Sequence, residues 1–165
     1  MNAILATKEY ADALSQNKFS VFGFNDDSDS APEQVSNSDG IPAASFKPGV
    51  DKVLLFETDW AQRNDIPISI EYYMDKSDAG KQLCLQVGYC FDGASVSWLD
   101  AETVTAPSDM SMKRYCFSAV ISSTVIPSGE SHTLRIKLRR LGSNEQDTHT
   151  GNFCLAAVKY YRIGD

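Results

Sequence analysis

From residue 51 to the C-terminus, apolar and polar positions alternate in short runs separated by turn residues, the spacing expected of an all-β sandwich or barrel. The runs are KVLLFET, IPISIEYYM, QLCLQVGYCF, a weaker SVSWLDAETVTA, KRYCFSAVISSTV, HTLRIKLRRL and FCLAAVKYYRI. Period two is clearest in the second: Ile66, Ile68, Ile70, Tyr72 and Met74 share one face, while Pro67, Ser69, Glu71 and Tyr73 share the other, which is expected to be wet. In the third, Leu83, Leu85, Val87 and Tyr89 alternate with Cys84, Gln86, Gly88 and Cys90. In the fifth, Tyr115, Phe117, Ala119 and Ile121 alternate with Arg114, Cys116, Ser118 and Val120. The sixth alternates most sharply, with Leu134, Ile136 and Leu138 facing in and Arg135, Lys137 and Arg139 facing out. Residues 51–165 are therefore predicted to form an antiparallel β-sandwich, jelly-roll-like in type.

The first fifty residues read differently. KEYADALSQ, residues 8 to 16, are good helix formers behind a candidate Thr7 cap, and Ile4, Leu5, Tyr10 and Leu14 give a partial apolar stripe. A short aromatic run, KFSVFGF, leads into an acidic, serine-rich stretch and then GIPAASFKPGV, whose glycine and proline content predicts irregular or extended chain. The expected layout is an anchoring arm and acidic linker over 1–50, with Leu5, Tyr10 and Leu14 as its gripping residues, followed by the β-domain.

Composition narrows the function. At 165 residues there is room for one ordinary domain, and no apolar run approaches the ~20 residues that cross a bilayer. The N-terminal MNAILATKEYADAL has neither the basic region nor the apolar core of a secretion signal. Net charge is −7; five acids without a base lie between residues 25 and 40, leaving −2 elsewhere, so neither nucleic acid nor membrane is an expected partner. Cys84, Cys90, Cys116 and Cys154 are expected to be buried thiols. Cys84 and Cys90 would lie roughly 20 Å apart on one extended strand, too far for a disulfide. Metal-binding spacing is lacking, and no cofactor is expected.

Candidate chemistry is sparse. His132 and His149 read as turn residues, and no motif for nucleophilic, metal or phosphate chemistry occurs. DDSDSAPE lacks the spacing of a calcium loop. Asp92, Asp100 and Glu102 could serve glycoside hydrolysis only if folding brought two of them within roughly 5–10 Å, and the expectation is a protein that is not an enzyme. The cations Arg135, Lys137 and Arg139 fit a solvated face with cross-strand partners such as Glu71, a guarded sheet edge, or a surface for anionic sugar or an acidic protein. Trp60, Trp98, Tyr72, Tyr73, Tyr160 and Tyr161 fit either core packing or sugar stacking. Trp98, in the weak polar strand, and Tyr73 are the candidates for glycan stacking.

Near the C-terminus, residues 134 to 162 read LRIKLRRLGSNEQDTHTGNFCLAAVKYYR. If the polar loop folds back, Asp147 can accept from an arginine, Thr148 can satisfy adjacent backbone groups and Gly151 can supply a positive-φ turn. Together with DKVLLFETDW, closed by Trp60, and the DI-x-I-x-I-x-Y strand, this order resembles a β-sandwich domain of tailed-phage virion proteins. The resemblance covers about residues 51–165. It assigns Arg140, Asp147, Thr148 and Gly151 to a C-terminal corner and Tyr161 to the last strand, although GN stands at 151–152 where GD is commoner. It implies a capsid-decoration, head-fibre or tail-appendage protein located in the virion. Such a protein would be a homotrimer attached to a capsid or tail protein through its arm. The alternative expectation is a carbohydrate-binding, receptor-binding module of a tail fibre that takes a host surface glycan.

Overall fold

A computed structural model describes residues 18–19, 33–36, 42–106 and 115–160. The helix expected at 8–16, the anchoring residues Leu5, Tyr10 and Leu14, and Tyr161 lie outside them. In chain order the strands are β1 Lys18–Phe19, β2 Glu33–Ser36, β3 Pro42–Phe46, β4 Asp51–Trp60, β5 Ile66–Met74, β6 Gln82–Phe91, β7 Ser97–Trp98, β8 Glu102–Thr105, β9 Tyr115–Ile121, β10 His132–Leu141 and β11 Phe153–Tyr160. One antiparallel sheet has the order β2-β3-β11-β5-β9, with β1 also on β11; the other runs β4-β10-β6-β7, with β8 also on β6. The longer strands cross from sheet to sheet at each connection from β3 to β6 and again from β9 to β11. The central orders β3-β11-β5-β9 and β4-β10-β6-β7 are those of a jelly roll. The protein is an all-β antiparallel sandwich.

The core forms as the alternation requires. Ile66, Ile68, Ile70 and Tyr72 of β5 meet Leu83, Leu85 and Val87 of β6 and Leu134, Ile136 and Leu138 of β10 between the sheets. Each fully buried aliphatic side chain contributes about 1.5–3 kcal/mol. The last strand breaks the period, since Phe153 and Leu155 face the core but so do Val158 and Tyr160. A β-bulge between Leu155 and Ala157 absorbs the extra residue and returns the apolar set to the inside. Trp60 closes β4 under Tyr160, with ring centroids 5.5 Å apart, and its indole N–H donates to the Gln62 carbonyl at 2.8 Å.

Arg140 continues the inward parity of Leu134, Ile136 and Leu138 and is fully buried. All five of its N–H groups find acceptors. Nε donates to Asp147 Oδ2 at 2.9 Å, and Nη2 donates to Asp147 Oδ1 at 2.6 Å and to the His149 carbonyl at 2.7 Å. Nη1 donates to the carbonyls of Phe46 at 3.0 Å and Gly151 at 2.8 Å. Asp147 also accepts from the Cys84 amide at 3.1 Å, and Thr148 Oγ1 accepts from the Gln82 amide at 3.0 Å. The Thr148 and His149 amides both donate to the Gln82 carbonyl at 2.9 Å. The loop thus supplies β6 with partners where β10 no longer does, because β10 pairs with β6 only as far as Arg140 opposite Leu85.

Several expectations need correction. The sandwich does not begin at residue 51: β3 lies in the first sheet, with Phe46 wholly buried against Phe153 and its carbonyl held by Arg140. PAASF has only one large apolar residue between glycine and proline, so its strand character comes from its neighbours. Gly151 is not at positive φ. Its requirement is steric, since a Cβ there would lie 2.6 Å from Lys76 Cβ and 2.8 Å from Asp75 Oδ1, where the loop docks on the β5–β6 connection. The outer face of β5 is only partly wet: Ser69 is buried against Cys116 of β9 and Tyr73 against Ala43 and Cys154, while Pro67 and Glu71 are half-buried. Cys84, Cys90 and Cys154 are buried thiols, but Cys116 is exposed on the outer face of β9. The anion opposite Arg135 is Glu57, at 2.6 Å, whereas Glu71 pairs with Lys159.

His149 is buried rather than a surface turn residue. Among the described residues neither ring nitrogen has a hydrogen-bond partner, and Nδ1 lies 3.7 Å from Asp78 Oδ2. Burial first, and the Arg140 guanidinium second, hold its pKa below the ordinary 6.5, against the opposing pull of Asp78, Asp75 and Asp147.

Two outcomes follow. Asp147→Ala leaves a guanidinium buried without its anion and is expected to lower the unfolding free energy by about 3–5 kcal/mol in urea titrations. A loss below about 1 kcal/mol would contradict the clamp. Because the folded pKa of His149 is depressed, its contribution to stability is complete above pH 6.5 and declines as the pH falls below that value. The urea midpoint should drop from pH 7.5 to 5, and drop less in His149→Gln.

Candidate functional site

The inner residues of β6 and β10 belong to the core, so Gln86, Gly88 and Cys90, with Arg135, Lys137 and Arg139, lie on the outer face of the second sheet. β7 pairs with β6 so that Trp98 is opposite Gly88. The indole is seated over that glycine. A Cβ at Gly88 would stand 2.7 Å from Trp98 Cε3 and 2.9 Å from Cζ3, closer than any side chain permits. A glycine in the interior of a strand weakens it, and here the loss admits a large ring against the backbone.

Arg139, opposite Gln86 in the β10–β6 register, places its guanidinium carbon 3.9 Å from the centroid of the Trp98 ring. Its Nε and Nη2 both donate to Gln86 Oε1, at 2.9 and 2.5 Å. Gln86 is itself oriented by donating from Nε2 to the Leu99 carbonyl at 2.7 Å. The result is a partly exposed aromatic ring with an arginine stacked on it, each fixed by a neighbour. Cation–π contact of this kind contributes about 0.5–2 kcal/mol, depending on how far water is excluded.

The chain passes from Trp98 through Leu99, whose amide donates to the Val87 carbonyl at 2.9 Å, into a cavity at the edge of the sandwich. This cavity, of about 280 Å³, has Val87, Leu99, Phe117, Ala119 and Val120 as its apolar lining and Asp100, Glu102 and Ser118 as its polar lining. Two of the three carboxylates singled out in the sequence therefore border one space. The third, Asp92, does not. It accepts from the Thr133 amide at 2.9 Å and pairs with His132 Nδ1 at 2.7 Å, and these bonds, the first above all, hold its pKa below the usual carboxylate range. Among the described residues no three His, Cys, Asp or Glu side chains are grouped to hold a metal ion.

Among the described residues, the other rings considered for stacking are withdrawn from the surface. Trp60, Tyr72 and Tyr160 are core residues. Tyr73 is only 5% exposed, packed with Ala43 and Cys154, and burial pushes its phenol up to about 12. Tyr73 is thus withdrawn from any surface ligand, while Trp98 remains partly exposed. Gln86 and Gly88 were not singled out in the sequence. The glycine breaking an otherwise regular strand was the available signal; nothing local marked the glutamine.

Gly88→Ala is expected to push the indole off its seat. The outcome is a Trp98 emission shifted to the red and more readily quenched by acrylamide, while Trp60, being buried, is unaffected. An unchanged quenching constant in the folded variant would refute the seating.

No protein family and no curated protein matches the sequence. Solved structures share the fold. A xylan-binding module, CBM15, superposes with a TM-score of 0.55 at 11% identity, over 90% of this chain and 96% of the other. The isomalto-dextranase of Arthrobacter globiformis T6, complexed with panose, superposes with a TM-score of 0.54 at 12% identity, over 77% of this chain; the match spans only 20% of the dextranase. At these identities what is shared is the β-sandwich itself.

Proposed function

We propose that this protein is a carbohydrate-binding β-sandwich module whose binding face is the outer surface of the β4-β10-β6-β7 sheet. The observation that carries this is the Trp98 ring, partly exposed, seated over Gly88 and bordered by the stacked Arg139 and the fixed amide of Gln86. Where Arg139 leaves it uncovered, the indole offers the apolar face of a pyranose a flat surface, and the flanking donors and acceptor meet its hydroxyls. The fold likeness to a xylan-binding module supports the reading, since a sandwich of this kind accommodates a glycan site elsewhere. The role is attachment, without turnover of the ligand.

The setting we infer for such a module is a virion appendage of a tailed phage, where a receptor-binding domain of a fibre holds a host surface glycan. Its support is the corner that carried the resemblance: Arg140, Asp147, Thr148 and Gly151 meet at one end of the sandwich. Attachment to a capsid or tail protein, and a three-fold assembly, belong to this same proposal.

A glycan array probed with the full chain tests the binding reading. Retention on a defined set of plant or bacterial polysaccharides is expected, weakened more than about tenfold by Trp98→Ala, as a central stacking residue should be. Binding that survives Trp98→Ala would move the site elsewhere, and an array with no retained glycan would remove it. Light scattering of the intact chain addresses the assembly; a clean monomer would count against the trimer.

A further inference from the structure

The three arginines of β10 are matched differently. Arg135 meets the carboxylate of Glu57 and Arg140 that of Asp147. Arg139 is held instead by a neutral amide, that of Gln86, and by the face of Trp98. Its contacts among the described residues engage Nε and one N–H of Nη2, leaving both N–H groups of Nη1 and the second of Nη2 without a partner. The unused edge is the Nη1–Nη2 end of the guanidinium, two donors side by side, which matches the two oxygens of a carboxylate.

Resting on the glycan reading above, we propose that the ligand of this face is an acidic polysaccharide, whose uronic acid carboxylate is taken end-on by Arg139 while a sugar ring of the same chain packs on the part of Trp98 that Arg139 leaves uncovered. The preorganisation is already in place. Gln86 is anchored to the Leu99 carbonyl, and the indole limits the guanidinium on another side, so a carboxylate meets a cation that need not be reoriented. Charge around the platform sets the direction in which the chain lies. On the β10 side Arg139, held by an amide, keeps its charge while Arg135 is neutralised by Glu57, whereas Asp100 and Glu102 border the cavity beyond Leu99 on the opposite flank. A uronate is attracted toward β10 and repelled from the cavity side. An acidic protein would use the cations alike, but it has no need of an indole seated over a glycine.

The test uses affinity electrophoresis and calorimetry on the full chain, with polygalacturonate, its carboxyl-reduced counterpart, glucuronoxylan, unsubstituted xylan and dextran sulfate at low and high salt. Uronate polymers are expected to bind at least tenfold tighter than carboxyl-reduced or unsubstituted ones, and to weaken as salt rises. Arg139→Gln should abolish that preference, and Arg139→Lys should recover it only in part because the fork is gone; melting curves confirm that both variants fold. Equal binding of polygalacturonate and its reduced form, or an unchanged preference in folded Arg139→Gln, would overturn the acidic ligand while leaving a glycan site standing. Dextran sulfate bound as tightly as the uronates and indifferent to Trp98→Ala would overturn it in favour of general polyanion attraction. No binding to any of the polymers would remove both this proposal and the glycan reading beneath it.

Discussion

A buried guanidinium organises one end of this sandwich. Removing an arginine and an aspartate from water costs several kcal/mol per ion, and the cost is offset only where every donor is met with good geometry. Here the five N–H groups of Arg140 reach Asp147, two carbonyls of the loop before β11, and the carbonyl of Phe46 at the end of β3. Asp147 in turn accepts from the Cys84 amide of β6. One side chain therefore connects both sheets and the last loop, and losing either partner strands a charge in the interior.

That constraint also places the surface. Arg139 and Arg140 are adjacent and necessarily point to opposite faces of the sheet. A slip of one residue in β10 would send Arg140 to water and Arg139 into the core. By holding its own register, Arg140 sets Arg139 opposite Gln86 and within stacking distance of Trp98. The same parity that buries one cation presents the other, so the clamp and the proposed binding face are two consequences of one register.

The two faces of the second sheet also divide the kinds of interaction. Inside, apolar side chains and the buried ion pair secure the fold. Outside, Trp98 and Arg139 are fixed by a glycine and an amide rather than by a carboxylate, leaving three N–H groups of the guanidinium without a partner among the described residues. At the sandwich edge the cavity beyond Leu99 is bordered by Asp100 and Glu102, so the proposed binding face has carboxylates on one flank and the Arg139 guanidinium on the other. An elongated ligand crossing it would meet that difference along its length.

Period-two alternation determined the class of fold and the extent of most strands: β5, β6 and β10 span the same residues as their apolar runs, because a strand buried on one face must alternate. The corner residues were readable too, since arginine, aspartate, threonine and glycine around a polar loop have limited ways of satisfying one another. β3 was not readable, as five residues with little apolar content become a strand only when Phe153 and Arg140 supply partners. Sequence narrowed the stacking rings to Trp98 and Tyr73 but could not separate those two, of which Tyr73 is buried. Exposure is set by which face of which sheet receives a side chain and by what lies across from it. Alternation is a local property of the chain, whereas the meeting of Trp98, Gly88, Gln86 and Arg139 depends on three strands aligned in register, and only the folded sandwich brings those together.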